Sequence, residues 1–135
     1  MKLENKVAIV TGGSRGIGYA TVEKFIKEGA KVCLTASSEA SAEKAVGKLK
    51  EAYPNADIMG IAPTLSSLES VQAEFAKVVE KYGRIDILIN NAGMSESTPL
   101  SAYTEELYDK VIDLNVKGVF TCSKVAAGYM EKQHS

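Results

Sequence analysis

The chain has 135 residues, of which 45% are hydrophobic and 24% charged, a composition typical of a soluble globular domain. Its 16 basic and 17 acidic residues give a net charge of −1, which argues against a nucleic-acid-binding or anionic-membrane-binding protein. Two distant cysteines and a single histidine, His134, argue against a metal site and against a histidine-dependent triad. Because the apolar runs are also too short to span a membrane, we expect one cytoplasmic domain over residues 1–135.

Short apolar runs alternate with longer amphipathic segments, which predicts four βα units. Strands are predicted at 7–11, 31–36, 56–62 and 85–90. Helices are predicted at 16–29, at 39–53, from Ser66 or Ser67 to Gly83, and, after a loop over 91–101, as one long amphipathic helix over 104–133. Four consecutive βα units favour an α/β fold with a doubly wound parallel sheet in the order 3-2-1-4. We therefore expect a Rossmann fold truncated after its fourth βα unit.

A glycine-rich loop joins the first strand to the first helix, with the sequence Thr11-Gly-Gly-Ser-Arg-Gly-Ile-Gly18. Gly12 can turn with a positive φ, and Gly16 places no side chain between the backbone and a pyrophosphate. Gly18 lets the helix pack close to the strand, and the helix N-terminus favours phosphate. The pattern predicts a dinucleotide site, with a purely structural turn as the alternative. It is not a P-loop, because no Gly-Lys-Ser/Thr follows.

Two further motifs make the pattern specific. Asn90-Asn91-Ala92-Gly93 follows the fourth strand, and Leu114-Asn115-Val116 lies in the long helix. With the glycine loop, they resemble the short-chain dehydrogenase/reductase family from Lys6 to the end of the chain. The resemblance implies an NAD(P)-dependent oxidoreductase that transfers hydride between the nicotinamide and an alcohol or ketone.

Two other stretches bear on the substrate without deciding it. Leu49-Lys-Glu-Ala-Tyr-Pro54, taken with Lys81-Tyr-Gly-Arg-Ile-Asp86, is similar to bacterial bile-acid hydroxysteroid dehydrogenases. The opening of the chain and Thr35-Ala-Ser-Ser-Glu39 are similar to 3-oxoacyl-carrier-protein reductases. Both substrate classes therefore stay open.

The choice between NADP and NAD depends, by this resemblance, on the end of the second strand. An acidic residue there binds the ribose hydroxyls of NAD, but Ser37 and Ser38 occupy this place and Arg15 can reach a 2′-phosphate. NADP is therefore the preferred cofactor, with NAD as the alternative if Glu39 turns back toward the ribose. The predicted cofactor-binding residues are Gly12, Ser14, Arg15, Gly16, Ile17, Gly18, Ser37, Ser38, Thr64, Leu65, Asn90, Ala92 and Gly93. Thr64 stands where the family usually has an Asp beside the adenine.

The catalytic residues implied by the resemblance are a Tyr, a Lys four residues later, a Ser and an Asn. The Asn corresponds to Asn115, which would hold a water in the proton relay. None of the six tyrosines is followed four residues later by lysine. We therefore expect this chain to be an inactive cofactor-binding part that lacks the carboxy-terminal catalytic half. The alternative is a non-catalytic nucleotide-binding or interaction module.

The expected partners are the dinucleotide, an alcohol or ketone substrate in a complete enzyme, and a second copy of the chain. The fourth strand would keep one open edge in a sheet of this order, and an open edge invites pairing. Self-association is expected through that strand or through the helix over 104–133, as a two-fold dimer.

Overall fold

The computed structural model describes residues 2–93, 100–102 and 104–133. Most of the predicted loop, Tyr103 and His134 lie outside the described residues. The strands and helices are, in chain order, β1 (Val7–Val10), α1 (Gly16–Lys27), β2 (Lys31–Thr35), α2 (Glu39–Ala52), β3 (Ile58–Ile61), α3 (Leu68–Tyr82), β4 (Ile87–Ile89), α4 (Glu105–Ile112) and α5 (Gly118–Gln133). A short 3₁₀ turn, Leu100–Ala102, precedes α4.

The four strands form one parallel sheet in the order β3-β2-β1-β4, which confirms the predicted fold. Side chains alternate between the two faces of the sheet. Ile9 and Cys33 pack on one face with α3 and α5, and Val10 and Leu34 pack on the other with α1 and α2. Every residue of β1 is buried because β1 lies between two strands and two helical layers. The carboxyl ends of β1, β2 and β3 therefore meet at one edge of the molecule.

Local signals in the sequence set the ends of two helices. Ser67 caps α3 by accepting the N–H of Ser70, and Gly83 ends that helix in the left-handed conformation at a φ of 84°. Gly29, just beyond α1, likewise has a φ of 88°. These ends agree with the sequence to within two residues.

The predicted long helix over 104–133 is wrong in one respect. Asp113–Lys117 form a π-helical turn that divides it into α4 and α5. The wider turn adds a residue, and such turns often occur at functional sites. Here it contains Asn115.

The fourth strand is shorter and less buried than predicted. It spans Ile87–Ile89, and all three residues are half-buried. Among the described strands only β1 pairs with β4, so the other edge of β4 has no strand beside it in the described part of the chain.

Side chains fix both sides of the segment that enters β4. Asp86 accepts the N–H of Val7 at 2.9 Å and pairs with Arg84 at 2.6 Å. Burial alone would raise the pKa of Asp86, but these hydrogen bonds outweigh burial and lower its pKa. The Gln133 carboxamide bonds both the N–H and the C=O of Ile85, at 2.9 and 2.8 Å. The end of α5 is thereby attached to the sheet.

Candidate functional site

A cleft of about 760 Å³ opens at the carboxyl ends of the strands. Its lining combines the glycine loop, the ends of β2 and β3, the segment after β4 and one face of α2. The predicted residues that line it are Gly12, Ser14, Arg15, Gly16, Ile17, Ser37, Leu65, Ala92 and Gly93. Four other predicted cofactor residues, Gly18, Ser38, Thr64 and Asn90, are not part of this lining.

The glycine loop has the geometry of a cradle. Gly12 has a φ of 66°, and its N–H donates to Thr35 Oγ1 at 3.1 Å. Gly16 has a φ of 61°, and a Cβ added there would meet no atom within 4 Å, so its backbone borders open space. Gly18 is buried, and an added Cβ would lie 2.3 Å from the carbonyl oxygen of Gly12. The helix and the loop are therefore in direct backbone contact.

The N-terminus of α1 borders the same cleft. Arg15 occupies the N-cap position without a side-chain cap, and the first turn contains no acidic residue. Ile17 is 79% exposed. Uncapped N–H groups and the positive end of the helix dipole favour a phosphate, so the residues present fit a dinucleotide pyrophosphate.

A buried threonine attaches the segment after β4 to the glycine loop. The hydroxyl of Thr11 accepts the N–H groups of Asn91 and Ala92, both at 3.0 Å. The Asn91 carboxamide donates to the carbonyl of Gly12 at 3.2 Å. The sequence shows Thr11 and Asn91 only as members of the two motifs and does not reveal that they bond to each other, because these bonds join residues about 80 positions apart.

The two serines after β2 have different positions. Ser37 lines the cleft, whereas Ser38 caps α2 by accepting the N–H of Ser41 at 3.1 Å. Ser38 is thus engaged as a helix cap and does not line the cleft, and its role in cofactor binding stays a prediction. Glu39 is exposed in the first turn of α2 and does not line the cleft.

The residues after β3 also separate into two groups. Leu65 lines the cleft, and α5 supports it through a short hydrogen bond from the Thr121 hydroxyl to the Leu65 carbonyl. Thr64 is exposed, and its N–H is bonded to Ser70 Oγ at 2.8 Å. The sequence predicted Thr64 as a cofactor-binding residue, but the structure does not place it in the lining of the cleft.

Asn115 lies close to the segment after β4. Its Oδ1 is 3.1 Å from the position that a Cβ on Gly93 would occupy. The absence of a side chain at Gly93 therefore permits this approach. Asn90, in contrast, is exposed, donates to Ser123 Oγ on α5 at 3.1 Å and does not line the cleft.

Nine lining residues are not among the predicted site residues, and they come from the strand ends, α2, the segment after β4 and the π-helical turn: Thr35, Ala36, Ser41, Lys44, Ala45, Lys48, Pro63, Asn91 and Leu114. Four of them share one face of α2, at positions i, i+3, i+4 and i+7. That spacing was a usable signal, since α2 directly follows the strand predicted to end at the ribose.

Neither cysteine lines this cleft. Burial raises the pKa of Cys33 well above its usual range and that of Cys122 to about 11, so both thiols are packed as apolar groups. Within the described ranges, no group of three His, Cys, Asp or Glu residues could hold a metal ion. No described helix is long and apolar enough to cross a membrane.

Comparison with known proteins agrees with this geometry. The family model described as short chain dehydrogenase matches residues 6–135. The chain is 50% identical over 133 residues to a 3alpha-hydroxysteroid dehydrogenase of Mediterraneibacter gnavus. The aligned region covers 98% of this chain and 53% of the relative. It is 38% identical over 135 residues to the 3-oxoacyl-[acyl-carrier-protein] reductase FabG of Thermotoga maritima, which covers 100% of this chain and 54% of the relative.

A solved structure of a reductase has the same fold over nearly the whole of this chain. Levodione reductase superposes with a TM-score of 0.90 at 31% identity, over 98% of this chain and 52% of that one. The chain thus spans about half the length of the relatives that it matches. Both groups to which the sequence is similar, hydroxysteroid dehydrogenases and 3-oxoacyl-carrier-protein reductases, are represented among them. The chain belongs to the short-chain dehydrogenase family.

Proposed function

We propose that this chain is the cofactor-binding part of an oxidoreductase that uses NADP in preference to NAD. The observation that carries the proposal is the cradle formed by Gly12, Gly16 and the uncapped start of α1 at the cleft. The bound nicotinamide would supply the hydride carrier. The residues of this chain bind and orient it, with the glycine loop at the pyrophosphate and Ala92 and Gly93 along the riboside.

The preference for NADP rests on charge at the cleft. Arg15 and Ser37 both line it, and no Asp or Glu does so among the described residues. A guanidinium can form forked hydrogen bonds with a 2′-phosphate, and a serine hydroxyl can donate to it without repulsion. A carboxylate, which would favour the two ribose hydroxyls of NAD, is missing from this part of the lining.

We expect NADPH to bind about 10-fold more tightly than NADH in calorimetric titrations, as one charge-assisted contact would produce. Arg15→Met should reduce this difference, while Lys27→Met, at the exposed far end of α1, should leave it unchanged. A clear preference for NADH in the unmodified chain would contradict the assignment.

We further propose that Asn115 holds a water for proton transfer, and that the Tyr and Lys which exchange the proton lie outside these residues. The names of the relatives include two substrate classes, and the 50% identical relative favours a hydroxysteroid. A chain verified by intact mass at 135 residues should bind cofactor without oxidising an alcohol or reducing a ketone. Turnover by that chain, lost in Asn115→Ala, would contradict this.

Self-association is also proposed, through β4 or the helices α4 and α5. Tyr108, Val116 and Phe120 are 54, 57 and 62% exposed along these helices, an apolar surface suited to a partner. Light scattering at micromolar concentration should show a dimer, which Phe120→Glu weakens and the exposed α2 variant Lys50→Glu does not. A stable monomer that binds no hydrophobic dye would overturn the proposal. The two free cysteines support a reducing, cytoplasmic location.

A further inference from the structure

One face of α2 contributes a polar and positively charged wall to the cleft. Ser41, Lys44 and Lys48 line it, separated by three and four residues, so they lie above one another on successive turns. The apolar residues Ala42 and Leu49 of the same helix are buried against the sheet. This packing fixes the rotation of α2 and holds the polar face toward the cleft.

The two lysines are available to a ligand. In the described part of the chain, no carboxylate lies within ion-pair distance of either ammonium group. Lys48 Nζ lies 5.7 Å from the centre of the Tyr19 ring, a contact that orients the ammonium without neutralising it. Glu23, four residues after Tyr19 on α1, accepts a hydrogen bond from the hydroxyl of Tyr53 at 2.8 Å.

Ser41 adds a hydrogen-bond donor to this face. The Ser38 hydroxyl donates to Ser41 Oγ at 3.0 Å, which leaves the O–H of Ser41 to donate elsewhere. Since Ser38 is engaged as the cap of α2, Ser41 is the hydroxyl that α2 presents to the cleft.

We infer that Ser41, Lys44 and Lys48 form a phosphate-binding face that receives the 2′-phosphate of the adenosine in NADP. The inference rests on the proposed function and deepens it, because it moves much of the cofactor discrimination from the loop after β2 onto α2. Arg15 comes from the glycine loop and the lysines from α2, so cations border the same cleft from two separate elements. A phosphate held between them is attracted by all three, whereas a 2′-hydroxyl gains little from any of them.

The test measures the binding of 2′,5′-ADP and 5′-AMP to the full chain by calorimetry. These probes share the adenosine and the 5′-phosphate and differ in the 2′-phosphate. We expect Lys44→Met to weaken 2′,5′-ADP about 2-fold and the double variant Lys44→Met/Lys48→Met roughly 5-fold, with 5′-AMP changed less than about 1.5-fold. Lys50→Met, exposed on α2 and outside the cleft, is the matched control. The affinity for 2′,5′-ADP should also depend less on salt in the double variant.

The other outcomes would contradict the inference or the proposed function. Unchanged binding of 2′,5′-ADP in the double variant, or an equal loss for both probes, would show that the lysines do not read the 2′-phosphate. Inorganic phosphate that competes as well as 2′,5′-ADP would indicate a general anion site instead. If the unmodified chain binds neither nucleotide probe and neither NADPH nor NADH, the proposed function itself fails, which separates the two conclusions.

Discussion

Gly18→Ala is expected to weaken dinucleotide binding strongly and to destabilise the fold. The added methyl group would lie 2.3 Å from the Gly12 carbonyl oxygen and 2.4 Å from Asn91 Nδ2. Neither neighbour is the free end of a flexible side chain, because the Asn91 carboxamide is itself bonded to Gly12. The first turn of α1 must then move away from the loop, which opens the phosphate cradle. We expect a loss of about 3 kcal/mol in the free energy of unfolding and a roughly 100-fold weaker NADPH affinity.

Gly47→Ala is the matched control for this change. Gly47 lies within α2, is exposed, and has no atom within 4 Å of an added Cβ. Replacement of a glycine inside a helix by alanine should stabilise the chain by about 0.5–1 kcal/mol. Urea unfolding monitored by circular dichroism and NADPH titration of both variants provide the comparison. Gly18→Ala with wild-type affinity would refute the assigned backbone contact.

The fold could be predicted from the sequence because its main determinants are local. The β-branched run of β1, the serine cap of α3 and Gly83 each act over a few residues, and together they define the alternation of strands and helices. The π-helical turn was not predictable in this way. It occurs where Asn115 meets Gly93 and where Gly118 meets Leu65, and both contacts join distant segments. Helical periodicity alone therefore suggested one continuous helix.

Within the candidate site, too, local features could be predicted from the sequence, whereas features that depend on contacts could not. The glycine loop was predicted because its function depends on backbone conformation, which Gly12 and Gly16 reveal directly. Ser37 and Ser38 could not be separated, since a serine before a helix serves equally well as a cap or as a ligand. The structure distinguishes their positions, because Ser38 Oγ accepts the N–H of Ser41 and Ser37 lines the cleft. Whether Lys44 and Lys48 line the cleft depends on the rotation of α2 about its axis. The apolar residues Ala42 and Leu49, which are buried in the core, indicate this rotation in the sequence.

Thr11→Val is expected to have the second largest effect, although it replaces one side chain by another of nearly the same shape. Thr11 is 2% exposed, and its hydroxyl accepts the N–H groups of Asn91 and Ala92. Valine removes this acceptor from both donors. The N–H of Asn91 keeps the Ile89 carbonyl at 3.1 Å, so the N–H of Ala92 is the group that loses its hydrogen bond, at a cost of about 1–3 kcal/mol. We expect the free energy of unfolding to fall by about 1–3 kcal/mol in urea titrations.

Nucleotide affinity should fall with stability in this variant, because Ala92 and Gly93 line the cleft and depend on Thr11 for their position. Thr11→Ser keeps the hydroxyl and should retain most of the NADPH affinity. Thr21→Val removes only an exposed bond to the Ile17 carbonyl within α1 and should change stability by less than about 0.5 kcal/mol. If Thr11→Val and Thr11→Ser unfold at the same urea concentration and bind NADPH equally, the hydroxyl does not hold this segment. A selective loss in Thr11→Val would show that one buried hydroxyl joins two motifs about 80 residues apart into a single site.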